Sequence, residues 1–256
     1  MLKKRIIPSL LIENRKLVKT KNFQNPRYVG DPLNAIKIFN EKFVDELIIL
    51  DISQNNHNET IDYEYLKIIF GECFVPVTYG GGITNLNQAD IIFKLGVEKI
   101  SLNTAVLQNK DIIRDFSNNF GSQSIVISID VSKNQANEFE IFNHKKIEKQ
   151  KNLNLIEYIK ELEELGAGEI FINSVNKDGT MRGMDLELIE KTSNLNKLPI
   201  VYCGGIGSIN DIKDAFKFNI SGVSAGSFFV FYGPYNAVLI SYPHEEFEKL
   251  QLNDKI

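Results

Sequence analysis

Eight short runs rich in β-branched and aromatic residues recur along the chain: RIIPSLLI, ELIILDIS, VPVTYGG, KISLNT, SIVISID, EIFINSV, LPIVYCGG and GVSAGSFF. Each predicts a strand. Between them lie longer stretches such as DPLNAIKIFNEKF, NLNQADIIFKLG and NLIEYIKELEELG, whose apolar residues fall at the i, i+3, i+4 spacing of amphipathic helices. In the last of these, Leu155, Ile159, Leu162 and Leu165 make the core-facing stripe. Eight alternating βα units predict a single (β/α)8 barrel, a fold that commonly takes about 250 residues. An open doubly wound sheet is the rival, and no strand-linked G-x-G-x-x-G opens the chain to support it.

A repeat strengthens the barrel. Pro76 to Thr104 overlies Pro199 to Ser227 without a gap, at a constant offset of 123, with Pro, Tyr, Gly-Gly-Ile, Asn and Phe-Lys coinciding. The chain therefore reads as two related half-barrels, roughly 1–120 and 121–256, with pseudo-twofold symmetry. Strands one and five are then mates, and they end on Leu11 and Asp130.

Composition narrows the function. The 29 Lys and Arg against 33 Asp and Glu give a net charge of −4, with no dense basic block, so a nucleic-acid partner has no electrostatic footprint. The N-terminal MLKKRIIPSLLIENRK meets proline and charge too early for a secretory signal. In SGVSAGSFFVFYGPYNAVLI, Gly, Pro and the YGPYN turn signal predict a buried strand and loop rather than a membrane span. Two cysteines, Cys73 and Cys203, make no disulfide framework and lack metal-ligand spacing, which places the chain in a reducing cytoplasm. His57, His144 and His244 are scattered and suggest no metal site, and no cofactor motif is present.

The glycines carry more information. GGGIT after strand three and CGGIG after strand seven (with Gly204 and Gly205) can bring backbone N–H groups close to an anion at the carboxyl end of a barrel. Each is followed one strand later by a small hydroxyl residue, in LNT and AGS. Any single Gly-Gly also serves a tight turn, but two copies at a fixed offset predict two phosphate pockets on opposite sides of one mouth. At the other end, Arg5, Glu46, Lys99 and Glu169 each open a predicted strand, and side-chain alternation aligns Arg5 with Ser9 and Leu11. Two cations and two anions there could form a neutralising ring.

The set KRIIPSL, VKTKNF, GDP, DELIILDIS, PVTYGGGI, KISLNTA, FGSQSIVISID, GAGEIFINSVNKDGT and GGIG resembles the HisF family, the cyclase subunit of imidazole glycerol phosphate synthase, over nearly the whole chain. The resemblance implies a lyase of histidine biosynthesis. Its members take ammonia from a HisH-type glutaminase and convert the phosphoribulosyl-formimino ribonucleotide (PRFAR) to imidazole glycerol phosphate and an aminoimidazole carboxamide ribonucleotide (AICAR). It implies that Gly82, Asn103 and Thr104 hold one phosphate, and that Asp178, Gly179, Gly204, Gly205, Gly226 and Ser227 hold the other. Lys19 matches a mobile-loop lysine that closes over substrate, and Asp51 a carboxylate ending strand two. Arg5, Glu46, Lys99 and Glu169 match an ammonia gate, and Thr78 and Ser101 match residues along the inner conduit. Catalysis in the family uses aspartates ending strands one and five; Asp130 is present and its mate is Leu11. Thr20 and Asn176 also depart from the pattern. These departures keep open a divergent paralogue that channels ammonia to another acceptor, such as an amidated sugar of surface polysaccharide, and a non-catalytic conduit or docking subunit.

Overall fold

The computed structural model describes residues 3–53, 60–143, 148–150, 153–194 and 197–253. The eight strands are β1 (Arg5–Glu13), β2 (Leu47–Asp51), β3 (Val77–Gly80), β4 (Lys99–Leu102), β5 (Ile125–Lys133), β6 (Glu169–Ser174), β7 (Ile200–Cys203) and β8 (Gly222–Ala225). Each pairs in parallel with the next, and β8 pairs with β1 (Ile7 opposite Ser224), so the barrel closes.

Alternation along the strands divides the interior from the helical shell. On β1, Ile6, Leu10 and Ile12 pack outward into the large core beneath the helices, whereas Ile7 points inward and meets Ile48, Val126, Phe171 and Val201. This inner cluster is an apolar plug, with charged side chains below it and polar ones above. The helices follow local rules. Pro32–Glu41 starts with proline after an Asp31 cap that accepts from the Leu33 N–H, and it buries Ala35, Ile36 and Phe39. Leu155–Glu164 is capped by Asn154 and buries Leu155, Tyr158, Ile159 and Leu162.

The repeat is visible in the backbone. Asn85 and Ser208 cap the helices Leu86–Lys94 and Ile209–Phe216 at φ −151°, ψ 163° and φ −150°, ψ 163°. Tyr79 and Tyr202, equivalent in the repeat, are both fully buried behind their diglycine bends. β1 and β5 are the long strands, nine residues each. Each continues into an antiparallel hairpin, Lys16–Lys21 with Gln24–Gly30 after β1 and Phe139–Asn143 with Glu148–Gln150 after β5. The Phe23 and Phe142 rings lie 6.3 Å apart, so the two hairpins meet over the mouth.

One expectation changes. The predicted strand GVSAGSFF stops at Ala225, and Ser227–Val230 is helical. At Gly226 the Lys19 amine comes so close that a Cβ would lie 2.5 Å from it, while Phe229 and Val230 turn into the core. Lys19 stands on the strand Lys16–Lys21, and Val18 and Lys19 are buried. The YGPYN turn joins the short strands Phe231–Tyr232 and Ala237–Val238. Among the described residues no helix is long and apolar enough to cross a membrane and no cluster could hold a metal. Cys73 and Cys203 are free thiols. His244 contacts Glu248 at 3.3 Å, and His57 and His144 lie outside the described residues.

Candidate active site and charged floor

The four charged residues at the strand starts form a closed ring beneath the apolar plug. Arg5 donates to Glu46 at 2.6 Å and to Glu169 through both of its terminal nitrogens; Lys99 donates to Glu46 at 3.1 Å and to Glu169 at 2.8 Å. Each cation therefore contacts both anions. Glu46 and Glu169 are 4% and 6% exposed, so the ring shields carboxylates that could not be buried alone. Burial alone would lower the Arg5 pKa, but the carboxylates of Glu169 and then Glu46 outweigh it and hold the guanidinium above its ordinary value. Thr78 donates from its hydroxyl to Glu46 at 2.6 Å, tying the ring to β3.

At the opposite end, two neighbouring cavities lie in the mouth among the described residues. The larger, about 210 Å³, is lined by Asp51, the Gly80 to Thr84 bend, Ser101, Asn103, Thr104 and Asp130. The smaller, about 50 Å³, is lined by Lys19, Asp178, Gly179, Gly204, Gly205, Gly226 and Ser227. The residues expected to hold two phosphates are thus sorted into two compartments, which share Leu11, Thr20, Phe23, Leu50 and Asn173 and so open into each other. Both bends require glycine. Gly81 and Gly204 have φ +148° and +107°, and a Cβ on Gly205 would sit 2.2 Å from the Gly183 carbonyl.

Asp130 and Leu11 face the larger cavity together. The Asp130 carboxylate is buried and accepts from Asn103 Nδ2 at 2.7 Å, so Asn103 reaches the acid as well as the bend. Asp51 Oδ1 accepts from the Ser53 N–H at 2.9 Å, which closes the turn after β2. In the smaller cavity Lys19 donates to the Ser9 carbonyl at 2.7 Å. Its burial lowers the amine to about 8, opposed by the neighbouring Asp178 carboxylate. Burial raises Asp178, opposed by the donors Phe23 N–H (3.0 Å) and Thr20 hydroxyl (2.9 Å). Asp178 also ties the β1 hairpin to this compartment, contacts that its D-G-T sequence did not reveal.

Sequence reasoning missed two further residues. Phe23, held at φ +60°, walls both compartments. Asn173, three residues before Asn176 on β6, points into both, and its inward alternation with Glu169 and Phe171 was the signal available.

The model of the histidine biosynthesis protein family matches residues 5–236. The chain belongs to that family, as a HisF-like member. This HisF-like chain is 49% identical over 244 residues to a Pseudomonas aeruginosa protein provisionally named imidazole glycerol phosphate synthase subunit hisF2, covering 95% of the chain and 97% of the relative. A Leptospira interrogans protein, provisionally named subunit HisF, is 44% identical over 248 residues, covering 96% and 97%. Imidazole glycerol phosphate synthase subunit HisF of Lactococcus lactis subsp. cremoris is 38% identical over 218 residues, covering 85% and 84%.

Proposed function

We propose that this HisF-like barrel is a cyclase subunit that receives ammonia at its floor from a HisH-type glutaminase and uses it at its mouth, in the cytoplasm, to convert PRFAR to imidazole glycerol phosphate and AICAR. One observation carries the reading: a balanced charge ring at one end of the barrel and two confluent, glycine-lined compartments at the other share one axis. Gly82, Asn103 and Thr104 hold one phosphate. Lys19, Asp178, Gly179, Gly204, Gly205, Gly226 and Ser227 hold the other. Ammonia passes Arg5, Glu46, Lys99 and Glu169 and continues by Thr78 and Ser101, whose hydroxyls can exchange hydrogen bonds with it. Asp130 takes and returns the proton of ring closure, a contribution worth about 10²- to 10⁴-fold. Leu11 offers no second proton carrier, so the step runs on one carboxylate.

That departure favours a second reading. Relatives at 44–49% identity bear provisional names, two of them numbered hisF2 and hisF3, whereas those at 34–38% are named as the subunit itself. The chain then belongs with a divergent group that hands ammonia to another acceptor, such as a sugar of surface polysaccharide. Purified chain incubated with PRFAR and an ammonium salt separates the two. Formation of both products is expected for a cyclase, with Leu11→Asp faster than the parent. No turnover in either protein at high ammonium rejects ring closure and leaves the second reading.

A further inference from the structure

The two compartments of the mouth are charged unequally. Asp51 and Asp130 line the larger, and among the described residues no lysine or arginine does. Lys19 and Asp178 line the smaller, and four more cations border it. Lys177 and Arg182 belong to the loop that wraps the second diglycine bend. The Lys177 Cβ lies 3.2 Å from where a Cβ on Gly205 would stand, the Gly183 N–H donates to the Gly205 carbonyl at 2.9 Å, and Met181 lines the compartment. The Lys21 Cα lies 3.0 Å from where a Cβ on Gly179 would stand. Arg27 is opposite Lys19 across the β1 hairpin and lies over the Phe231 ring at 5.4 Å. Lys21, Arg27 and Arg182 are exposed and Lys177 is half-buried, and none of the four has an ion pair among the described residues. The two carboxylates facing this loop are engaged with backbone or hydroxyl donors: Asp178 with Phe23 and Thr20, and Asp211 with the Gly207 and Ser208 N–H groups at 2.9 and 2.8 Å.

A single phosphate does not use so many cations, and a compartment of about 50 Å³ is small for more than one phosphoryl group. A second phosphoryl bonded to the first would project onto the rim, within reach of long basic side chains. We propose that the smaller compartment and its rim hold a diphosphate: the inner phosphoryl sits in the glycine bends, and the outer one is met by Lys177 and Arg182, with Lys21 and Arg27 adding positive potential. An arginine fork matches phosphate oxygens in pairs, and a lysine adds a point charge. The inference rests on the smaller compartment being an anion site, as proposed above, and names the class of group that it takes, a free diphosphate or the diphosphate of an organic conjugate. The ribonucleotide of the first reading carries one phosphoryl group at each end, so a diphosphate here belongs with the second reading.

Calorimetric titration of the purified chain at low ionic strength tests this, with inorganic phosphate, inorganic diphosphate, adenosine monophosphate and adenosine diphosphate as probes. Inorganic diphosphate should bind about tenfold tighter than phosphate, and added salt should narrow the difference because the rim is exposed. The double variant Lys177→Gln/Arg182→Gln should lose about tenfold for diphosphate and keep its affinity for phosphate. Arg114→Gln/Lys160→Gln removes the same two charges from exposed positions on the helical shell, and should leave both affinities unchanged. A preference of the parent for adenosine diphosphate over the monophosphate assigns the rim to a conjugate, whereas tight inorganic diphosphate without that preference assigns it to the free anion; either supports the inference. Phosphate binding with diphosphate no tighter overturns the inference and leaves the anion site standing, as do equal losses for both anions in the rim variant or the same loss in the shell variant. No binding of any of the four probes rejects the anion site itself, and the inference with it.

Discussion

Replacing Lys99 by methionine takes one cation from the floor ring and leaves a carboxylate pair served by Arg5 alone. Lys99 contacts Glu46 at 3.1 Å and Glu169 at 2.8 Å, and the side chains are 19%, 6% and 8% exposed, so solvent screens the ring weakly. Breaking one member of a buried ion pair costs about 3–5 kcal/mol. Arg5 still touches both carboxylates, which puts Lys99→Met near the lower end, about 3 kcal/mol. At about 2–4 °C per kcal/mol for a chain of this size, the melting temperature should drop by about 6–12 °C. The internal control is Lys94→Met: its pair with Asp90 has side chains 73% and 44% exposed, and such pairs are worth about 0–1 kcal/mol. Urea unfolding of the two variants, read as a midpoint shift at constant slope, makes the comparison. A Lys99→Met cost no larger than that of Lys94→Met would refute the buried ring and place those charges among ordinary solvated strand ends.

Other consequences follow from the mouth. Lys19 is held at about 8 against the 10.5 of an unperturbed lysine, so the folded state disfavours its charged form. The penalty, about 3 kcal/mol, is fully present below pH 8 and is relieved as pH rises toward the unperturbed value. Urea unfolding should therefore show the parent gaining stability relative to Lys19→Met over that window, and parallel pH curves would contradict the assignment. Asp178→Asn weakens the acceptor for the Thr20 hydroxyl and Phe23 N–H, and should cost about 1–3 kcal/mol while exposing the 16–30 hairpin to limited proteolysis; unchanged cleavage would argue against the pin. Gly205→Ala drives a Cβ against the Gly183 carbonyl at φ +95°, and should cost about 2–3 kcal/mol and weaken phosphate binding, measured by titration. Wild-type stability in that variant would mean that the bend relaxes freely.

The barrel was legible because parallel strands buried on both faces read as apolar runs, and because the duplication repeats its own punctuation. Gly81 and Gly204, with the caps Asn85 and Ser208, mark the same turn twice. The hairpins were not legible: Lys16–Lys21 and Gln24–Gly30 mix charge with apolar residues, and Gln24 to Tyr28 are exposed, so no periodicity announces a strand. The ring was legible only as four charged strand starts, since alternation fixes the direction of a side chain but not its partner. Asn103 illustrates the same limit. Its position near the first bend was readable, whereas its 2.7 Å bond to Asp130 depends on the register between β4 and β5, which no local signal carries. Asn173 was passed over for the same reason, because lining both compartments at once is a property of the assembled barrel.

The most direct test of the two-compartment mouth is the stoichiometry of anion binding to the purified chain. Calorimetric titration with inorganic phosphate should give two sites per chain, and PRFAR should bind once and displace both phosphates. A single phosphate site, or PRFAR binding that leaves one phosphate in place, would contradict a ligand spanning the mouth.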